Sequence, residues 1–307
     1  MFQPLCLDFM VGPKSSTLAS MDSNSDTKKI VVYGRSIRSR YLAIVLLTII
    51  CAAAVLPKLS RYGATERSLA PLGSNAPTPA LSVLPDFTLI TDVDARKQQF
   101  FDFLEAYVNA ENKRLLQRRE SLAMFSQILA NGHRLSPSER LNLAKHALDF
   151  RIDFNSDAGQ RGDTALVAQL LRRVDVIPVS LVLAQAANES AWGTSRFAVD
   201  GNNLFGQWCY EEGCGFVPLA RDNKASHEVR KFNTIAAAVS AYFRNINTHP
   251  SYSNFRRMRE KMREQGKNLD PIQLAYGLES YSQRGDNYID EVQTIIQQND
   301  LRLRDDG

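Results

Sequence analysis

Glu189 is the residue whose surroundings most clearly suggest chemistry. It lies in the segment LVLAQAANESAWGTSRFA, Leu181 to Ala198, directly after an apolar run. If the run is a helix, Val182, Gln185, Ala186 and Glu189 share one face. A carboxyl group on a largely apolar face is partly desolvated, which raises its pKa. A carboxyl group that stays protonated near neutral pH can serve as a general acid.

A purely structural explanation of Glu189 is that it caps its own helix end or pairs with Arg196 across the following turn. The carboxyl end of a helix repels an anion, because the helix dipole is negative there. Stability alone therefore does not account for this residue, and we predict a catalytic function.

Two further blocks accompany this segment: NNLFGQW, and the pair GFVPLARDNKASHEVRKFNT and AYFRNINTHPSYSNFRRMR. Together they resemble the glucosaminidase domains of glycoside hydrolase family 73, and are most similar to the bacterial Bax-type branch. The resemblance covers about Val174 to the C-terminus and implies a lysozyme-like fold. It implies that Glu189 is the catalytic acid and that the cleft binds the sugar chain through Trp192, Asn203, Leu204, Phe205 and Gly206.

Other site residues carry over less directly. The family often has a second acidic residue in its β-lobe, for which Glu228 ranks first, ahead of Asp222, Glu212 and Glu211. Ordinary solvated turn positions explain Glu211 and Glu212 better than catalysis does. The resemblance also implies two cleft tyrosines. They are Tyr242, for which core packing is an equal alternative, and Tyr252, in a loop beside Pro250.

The elements that must position these residues begin after an N-terminal leader. Residues 1–40 are polar and end in a basic cluster, and residues 41–57 are apolar. The apolar run predicts a single-pass transmembrane or signal-anchor helix in the inner membrane, with residues 1–40 cytoplasmic and the rest periplasmic. Cleavage after Ala52-x-Ala54 is the alternative, and would export the protein. Met21 is an alternative start.

Beyond the apolar run we expect a flexible linker, a helical segment and the catalytic domain. Residues 58–86 are rich in Pro and small polar residues, which is typical of a linker. Residues 87–173 predict helices from about Asp92, from Lys113 to Asn131, from Ser136 to Phe150 and from Thr164 to Val174. Ser136 and Glu139 have the spacing of a capping box. The glucosaminidase-like domain is predicted to span 174–307.

Residues 201–231 differ in texture, being rich in Asn, Gly, Cys and aromatic residues, and predict a small β-lobe. The fold class is therefore α+β, mainly helical. Cys209 and Cys214 flank a turn glycine, and in an oxidising compartment they are expected to form a disulfide. A Cys2His2 metal site with His227 and His249 is disfavoured by the spacing, so no metal and no other cofactor is expected.

Composition excludes several other classes. A net charge of +4 without long basic runs argues against nucleic acid, and GPKSS at Gly12 lacks the spacing of a nucleotide-binding loop. The basic stretch Phe255–Arg263 is interpreted as a solvated helix face, with weak glycan or surface binding second.

The resemblance to family 73 implies an endo-β-N-acetylglucosaminidase, related to mannosyl-glycoprotein endo-β-N-acetylglucosaminidases, that cleaves the glycan strands of peptidoglycan on the reducing side of N-acetylglucosamine. A muramidase or lytic transglycosylase of the same fold is one alternative. The other is a non-catalytic scaffold that binds the cell wall.

Overall fold

The computed structural model describes residues 83–218 and 227–305. The chain divides into two compact units, and all described residues belong to the unit that contains Asn75–Gly307. The predicted membrane segment 41–57 and nearly all of the predicted linker lie outside the described residues. Within the described ranges, no helix is both long enough and apolar enough to cross a membrane.

The described residues form nine α-helices, four short 3-10 helices and three short strands. The helices are α1 Val93–Ala130, α2 Pro137–Asp149, α3 Gly159–Arg173, α4 Val179–Ser190, α5 Arg196–Gly201, α6 Ile235–Thr248, α7 Ser253–Glu264, α8 Pro271–Ala275 and α9 Asp286–Gln298. The 3-10 helices are Phe87–Leu89, Pro250–Tyr252, Tyr276–Tyr281 and Leu301–Arg304. The α+β class is confirmed.

Helix α4 is the centre of the helical part. Every residue from Val179 to Ala187 is buried, and α1, α8, α9 and the last 3-10 helix pack around it. A helix that is apolar on all sides is stable only when it is enclosed in this way. The enclosure fixes α4 in place, so its final turn is a rigid support for any group that it carries.

Helix α1 differs from the sequence prediction. It runs without a break for 38 residues, so the separate helix predicted from Lys113 is wrong. Its buried stripe passes through Glu111, whose carboxylate accepts a hydrogen bond from Arg114 Nε at 3.0 Å. A charged pair inside the stripe interrupts the apolar pattern but not the helix, which packs against α3, α4 and α6.

The strands form a small antiparallel sheet. Strands β1 Trp208–Cys209 and β2 Gly215–Phe216 both pair with β3 Glu228–Arg230, giving the order β1-β3-β2. Trp208 faces Val229 across one ladder, and Phe216 faces Val229 across the other. The predicted β-lobe is therefore present, directly after the segment that follows Glu189.

The basic helix α7 also departs from its prediction as a solvated face. Arg259 and Arg256 are only 1% and 5% exposed. Arg259 lies 3.8 Å from the buried carboxylate of Asp175, and Arg263 lies 3.0 Å from it. Burial acts to raise the pKa of Asp175, but these arginines outweigh it and lower that pKa. This buried ion cluster ties α7 to the segment that leads into α4.

Candidate active site

Glu189 lies in the last turn of α4, and the chain turns sharply directly after it. Ala191, Trp192 and Gly193 all adopt left-handed backbone conformations, with φ of 50°, 60° and 76°. Ser190 secures the turn, because its hydroxyl donates to the Ala186 carbonyl at 2.6 Å and accepts the Gly193 N–H at 2.8 Å. The helix therefore ends directly after Glu189, and no further helical turn follows past the carboxyl group of that residue.

The carboxyl group of Glu189 is desolvated. Its Oε1 atom is buried and accepts no hydrogen bond within the described ranges. Burial raises the pKa of Glu189 from 4.5 to about 7, against the opposing effects of a hydrogen bond from Tyr288 and of the charge on Arg284. A proton donor poised near neutral pH with one open oxygen atom has the properties of a general acid.

A chain of buried hydrogen bonds leads to the other side of this carboxyl group. Tyr242 donates its hydroxyl proton to Gln185 Oε1, and Gln185 Nε2 donates to the Tyr288 hydroxyl oxygen at 2.8 Å. The Tyr288 hydroxyl is therefore left to donate to Glu189, with which it is hydrogen-bonded. The chain orients the carboxyl group and leaves Oε1 for another partner.

Four tyrosines gather around Glu189. Tyr281 stacks on Tyr288 with ring centroids 5.6 Å apart, and lies 6.1 Å from Tyr252 and 6.4 Å from Tyr242. Burial raises the pKa of each phenol, and the nearby charge of Glu189 adds to the effect. The phenols stay neutral at any working pH, so they act as hydrogen-bond groups rather than as bases.

Tyr242 and Tyr252, the two tyrosines predicted from the sequence, both belong to this group. Tyr242 is fully buried and stacks on Phe205 at 4.2 Å, so packing and hydrogen bonding in the core describe its role. Tyr252 is 6% exposed and is hydrogen-bonded with Asn245. The sequence did not single out Tyr281 and Tyr288, which come from the C-terminal helices.

The predicted sugar-binding block 203–206 is an organised loop whose side chains are largely buried. Asn203 Nδ2 donates to the carbonyls of Gln207 and Arg230 at 2.8 and 2.9 Å, and its Oδ1 accepts N–H groups of Phe205 and Gln207. Leu204 is fully buried, and Phe205 is only 1% exposed. These side chains shape the loop, and sugar binding by this block stays a prediction.

Gly206 brings that backbone to the acid. It has a φ of +63°, and a Cβ atom added there would lie 3.3 Å from Glu189 Oε2. The Tyr281 hydroxyl donates to the carbonyl of Phe205 at 2.8 Å, which joins this loop to the tyrosines. The loop therefore fits closely against Glu189 only with glycine at this position.

Trp192, also predicted to bind substrate, packs against helix α1. Its ring lies 5.2 Å from Phe101 and 6.2 Å from Phe100, and the Lys97 ammonium lies 5.3 Å from the ring centroid. The ring is half-buried, so one part remains accessible. Its packing anchors the turn after Glu189 to α1.

In the β-lobe, Glu228 is buried in β3. Its carboxylate accepts the N–H groups of Gly213 and Gly215, at 3.1 and 2.8 Å. The adjacent Cys209 and Cys214 form a disulfide across the same turn. Glu228 therefore holds the turn, and a catalytic role for it stays a prediction. Of its rivals, Glu211 and Glu212 lie in the exposed turn, and Asp222 lies outside the described residues.

Sequence reasoning missed another carboxylate, that of Glu291. The negative charge of Glu291 helps to raise the pKa of Glu189. Arg284 donates to both of its oxygens, at 2.7 and 2.6 Å, and Asn188 donates to one at 3.3 Å. Both members of this ion pair are well exposed, so they form a charged rim beside the acid.

The chain is similar in sequence to known proteins. Residues 164–301 match the glucosaminidase family, described as mannosyl-glycoprotein endo-β-N-acetylglucosaminidase. Protein Bax of Escherichia coli strain K12 is 31% identical over 220 residues, which cover 71% of this chain and 75% of Bax. No solved structure matches the chain. The family match begins ten residues before the predicted start at Val174, within α3. The chain belongs to the glucosaminidase family.

Proposed function

We propose that this protein is an endo-β-N-acetylglucosaminidase that cleaves the glycan strands of peptidoglycan, with Glu189 as the general acid. Family membership supports a glycoside hydrolase acting on a glycan. The observation that carries the assignment of Glu189 is its buried, unpartnered Oε1 atom on a carboxyl group whose pKa is about 7. The lysozyme-like arrangement, a central helix delivering a glutamate beside a small β-lobe, is part of this proposal.

In the proposed reaction, Glu189 donates its proton to the glycosidic oxygen, which leaves as a hydroxyl of the departing sugar while positive charge develops on the N-acetylglucosamine ring whose C1–O bond breaks. A water molecule then adds to that C1 atom and loses a proton, which completes the hydrolysis. The Tyr288 hydrogen bond holds the carboxyl group in place and stabilises the carboxylate that remains after the transfer. The exposed rim of Arg284 and Glu291 lies where a water molecule or the acetamido group of the substrate can meet polar partners. The sugar with the new reducing end is then N-acetylglucosamine.

The test is hydrolysis of purified peptidoglycan by wild type and Glu189→Gln, with Glu211→Gln as the control because Glu211 lies in an exposed turn. We expect Glu189→Gln to lose at least about 100-fold in rate, the range of general acid catalysis, and Glu211→Gln to match wild type. Equal wall-lytic activity in Glu189→Gln would remove the assignment of the acid and favour a wall-binding scaffold.

Mass spectrometry of the products identifies the bond that is cut. Products that end in reducing N-acetylglucosamine support the proposal. Products that end in reducing N-acetylmuramic acid indicate a muramidase, and 1,6-anhydro-N-acetylmuramic acid indicates a lytic transglycosylase. Either of these results would replace the glucosaminidase assignment while leaving Glu189 as the acid.

We also propose that residues 41–57 anchor the protein in the inner membrane with the glucosaminidase domain in the periplasm. The support is the apolar sequence of this segment and the disulfide Cys209–Cys214, since structural disulfides persist in oxidising compartments. Protease treatment of spheroplasts should digest the domain, and alkaline carbonate should leave the protein in the membrane pellet. Release into the soluble fraction would favour cleavage of the leader.

A further inference from the structure

A pocket lined mainly by arginines lies between the end of α3 and the beginning of α7. Its volume is about 390 Å³, and its charged lining consists of Arg172, Arg173, Arg256, Arg257 and Glu260. Ligand pockets in proteins begin at about this size. Four guanidinium groups face one carboxylate, so the pocket has a net positive charge.

The single carboxylate does not balance these arginines. Glu260 is engaged by Arg172, whose Nε lies 2.7 Å from the Glu260 Oε2 atom. Arg256 is 5% exposed and donates to the backbone carbonyls of Ile246 and His249. Within the described residues Arg173 and Arg257 likewise have only carbonyl or amide oxygens as partners, for Arg257 the side chain of Asn254 at 3.0 Å.

The electrostatic setting is unfavourable for cations. Burial, together with repulsion by Arg173 and Arg172, lowers the pKa of Arg256 to about 10. Arg256 and Arg257 also lie near the first turn of the 12-residue helix α7, where the helix dipole is positive. The repulsion among these guanidinium groups opposes folding, whereas an anion placed among them relieves the repulsion and can accept several charge-assisted hydrogen bonds.

The pocket is connected to the active site through one short segment. Ser253 lines the pocket, and the residue before it, Tyr252, belongs to the group of tyrosines around Glu189. Arg256 donates to the carbonyl of His249, whose ring lies 5.9 Å from that of Tyr252. A ligand group bound in the pocket therefore lies against the same short segment that places Tyr252 near Glu189.

We propose that this pocket binds carboxylates of the stem peptides that branch from the glycan strand, and so selects strands that still carry their peptides. The inference rests on the proposed peptidoglycan substrate, whose stem peptides present free carboxylates along an uncharged sugar backbone. Planar guanidinium groups bind carboxylates through paired hydrogen bonds, which suits a site lined with arginines.

The test measures binding without catalysis. Glu189→Gln protein is co-sedimented with intact sacculi and with amidated sacculi, whose peptide carboxylates have been converted to amides by a carbodiimide and ammonium ions while the cross-linked glycan stays insoluble. The double variant Arg172→Gln/Arg257→Gln is made in the Glu189→Gln protein and removes the two exposed arginines of the pocket. The control, made in the same protein, is Arg161→Gln, because Arg161 is an exposed arginine elsewhere on α3. Thermal melting confirms that each variant is folded.

We expect the double variant to bind intact sacculi about five- to tenfold more weakly than the parent does, as for two exposed ion pairs, and to bind amidated sacculi as the parent does. Arg161→Gln should bind both as the parent does. Glu260→Gln, which frees Arg172, should bind intact sacculi about twofold more tightly. Loss of folding cannot produce that opposite effect.

Three results would overturn the proposal. Unchanged binding of the double variant to intact sacculi would show that the pocket has no part in wall binding. Equal weakening on amidated sacculi would show that the pocket recognises a group other than the carboxylates. The third result is that the double variant loses binding to phosphatidylglycerol vesicles while it binds sacculi as the parent does. This result would assign the pocket to lipid headgroups. Failure of wild type to hydrolyse peptidoglycan refutes the proposed function instead, and leaves these binding results readable.

Discussion

Replacing Glu189 by glutamine should change the pH dependence of stability as well as activity. The pKa of Glu189 is about 7 in the folded protein against an ordinary value of 4.5. The folded state therefore holds this proton more tightly than the unfolded chain does. The stabilisation is fully present below pH 4.5 and is lost as the pH rises through about 7.

The size of the effect follows from the shift. A difference of about 2.5 pKa units at 1.36 kcal/mol per unit gives at most about 3 kcal/mol. In Glu189→Gln this pH-dependent loss is absent. Relative to wild type, the variant should therefore gain up to about 3 kcal/mol between pH 4 and pH 8, or roughly 6–12 °C in Tm for a unit of this size. Any constant effect of the new amide cancels in this difference.

The assay is thermal or urea denaturation of wild type, Glu189→Gln and Glu211→Gln across that pH range. The exposed Glu211 should give a variant that follows the wild-type curve. If the curves of Glu189→Gln and wild type are parallel from pH 4 to pH 8, Glu189 is not desolvated in the folded protein. The argument for its role as the acid would then fail, whatever the activity of the variant.

Other predictions test the supports of Glu189. Tyr288→Phe removes a hydrogen bond that lowers the pKa of Glu189, so the alkaline limb of kcat/KM should move up by about one pH unit; an unmoved limb in the pH–rate profile would contradict this. Asn203→Ala strips four hydrogen bonds from a buried loop and should cost about 2–4 kcal/mol in urea denaturation, whereas a loss below 1 kcal/mol would contradict that loop structure. Gly193→Ala places a Cβ atom 2.7 Å from the ring of Phe87 in a left-handed conformation, so it should cost more than about 2 kcal/mol in the same assay; a wild-type midpoint would show that the turn is not packed as described.

The local part of the fold was predictable from the sequence. The apolar run before Glu189 forms helix α4, and the capping box of Ser136 and Glu139 is present at the beginning of α2. These features depend on residues a few positions apart, where propensity and capping decide the outcome. Helix α1 was divided wrongly because Glu111 lies on its buried stripe, and a sequence pattern does not show that Arg114 satisfies it.

The surroundings of Glu189 were less predictable because they are long-range. Gln185 and Tyr288 are 103 residues apart in sequence, as are Asn188 and Glu291. No periodicity within α9 separates a tyrosine that packs in the core from one that hydrogen-bonds Glu189. Glu189 itself could be singled out from the sequence, because it interrupts the apolar pattern of its own helix. Its partners could not, because each fits an ordinary amphipathic helix.

The turn after Glu189 connects this local anomaly with the long-range site. Ala191 and Trp192 hold left-handed conformations that cost about 1–3 kcal/mol each, although neither is glycine. The turn is maintained by Ser190, whose hydroxyl bonds both the helix and Gly193, and by the packing of Trp192 on α1. A helix that continued would cover the carboxyl group with its next turn. The sharp end instead leaves Oε1 without a hydrogen-bond partner while burial raises the pKa of Glu189, so strain in the backbone and the raised pKa of Glu189 follow from one structural requirement.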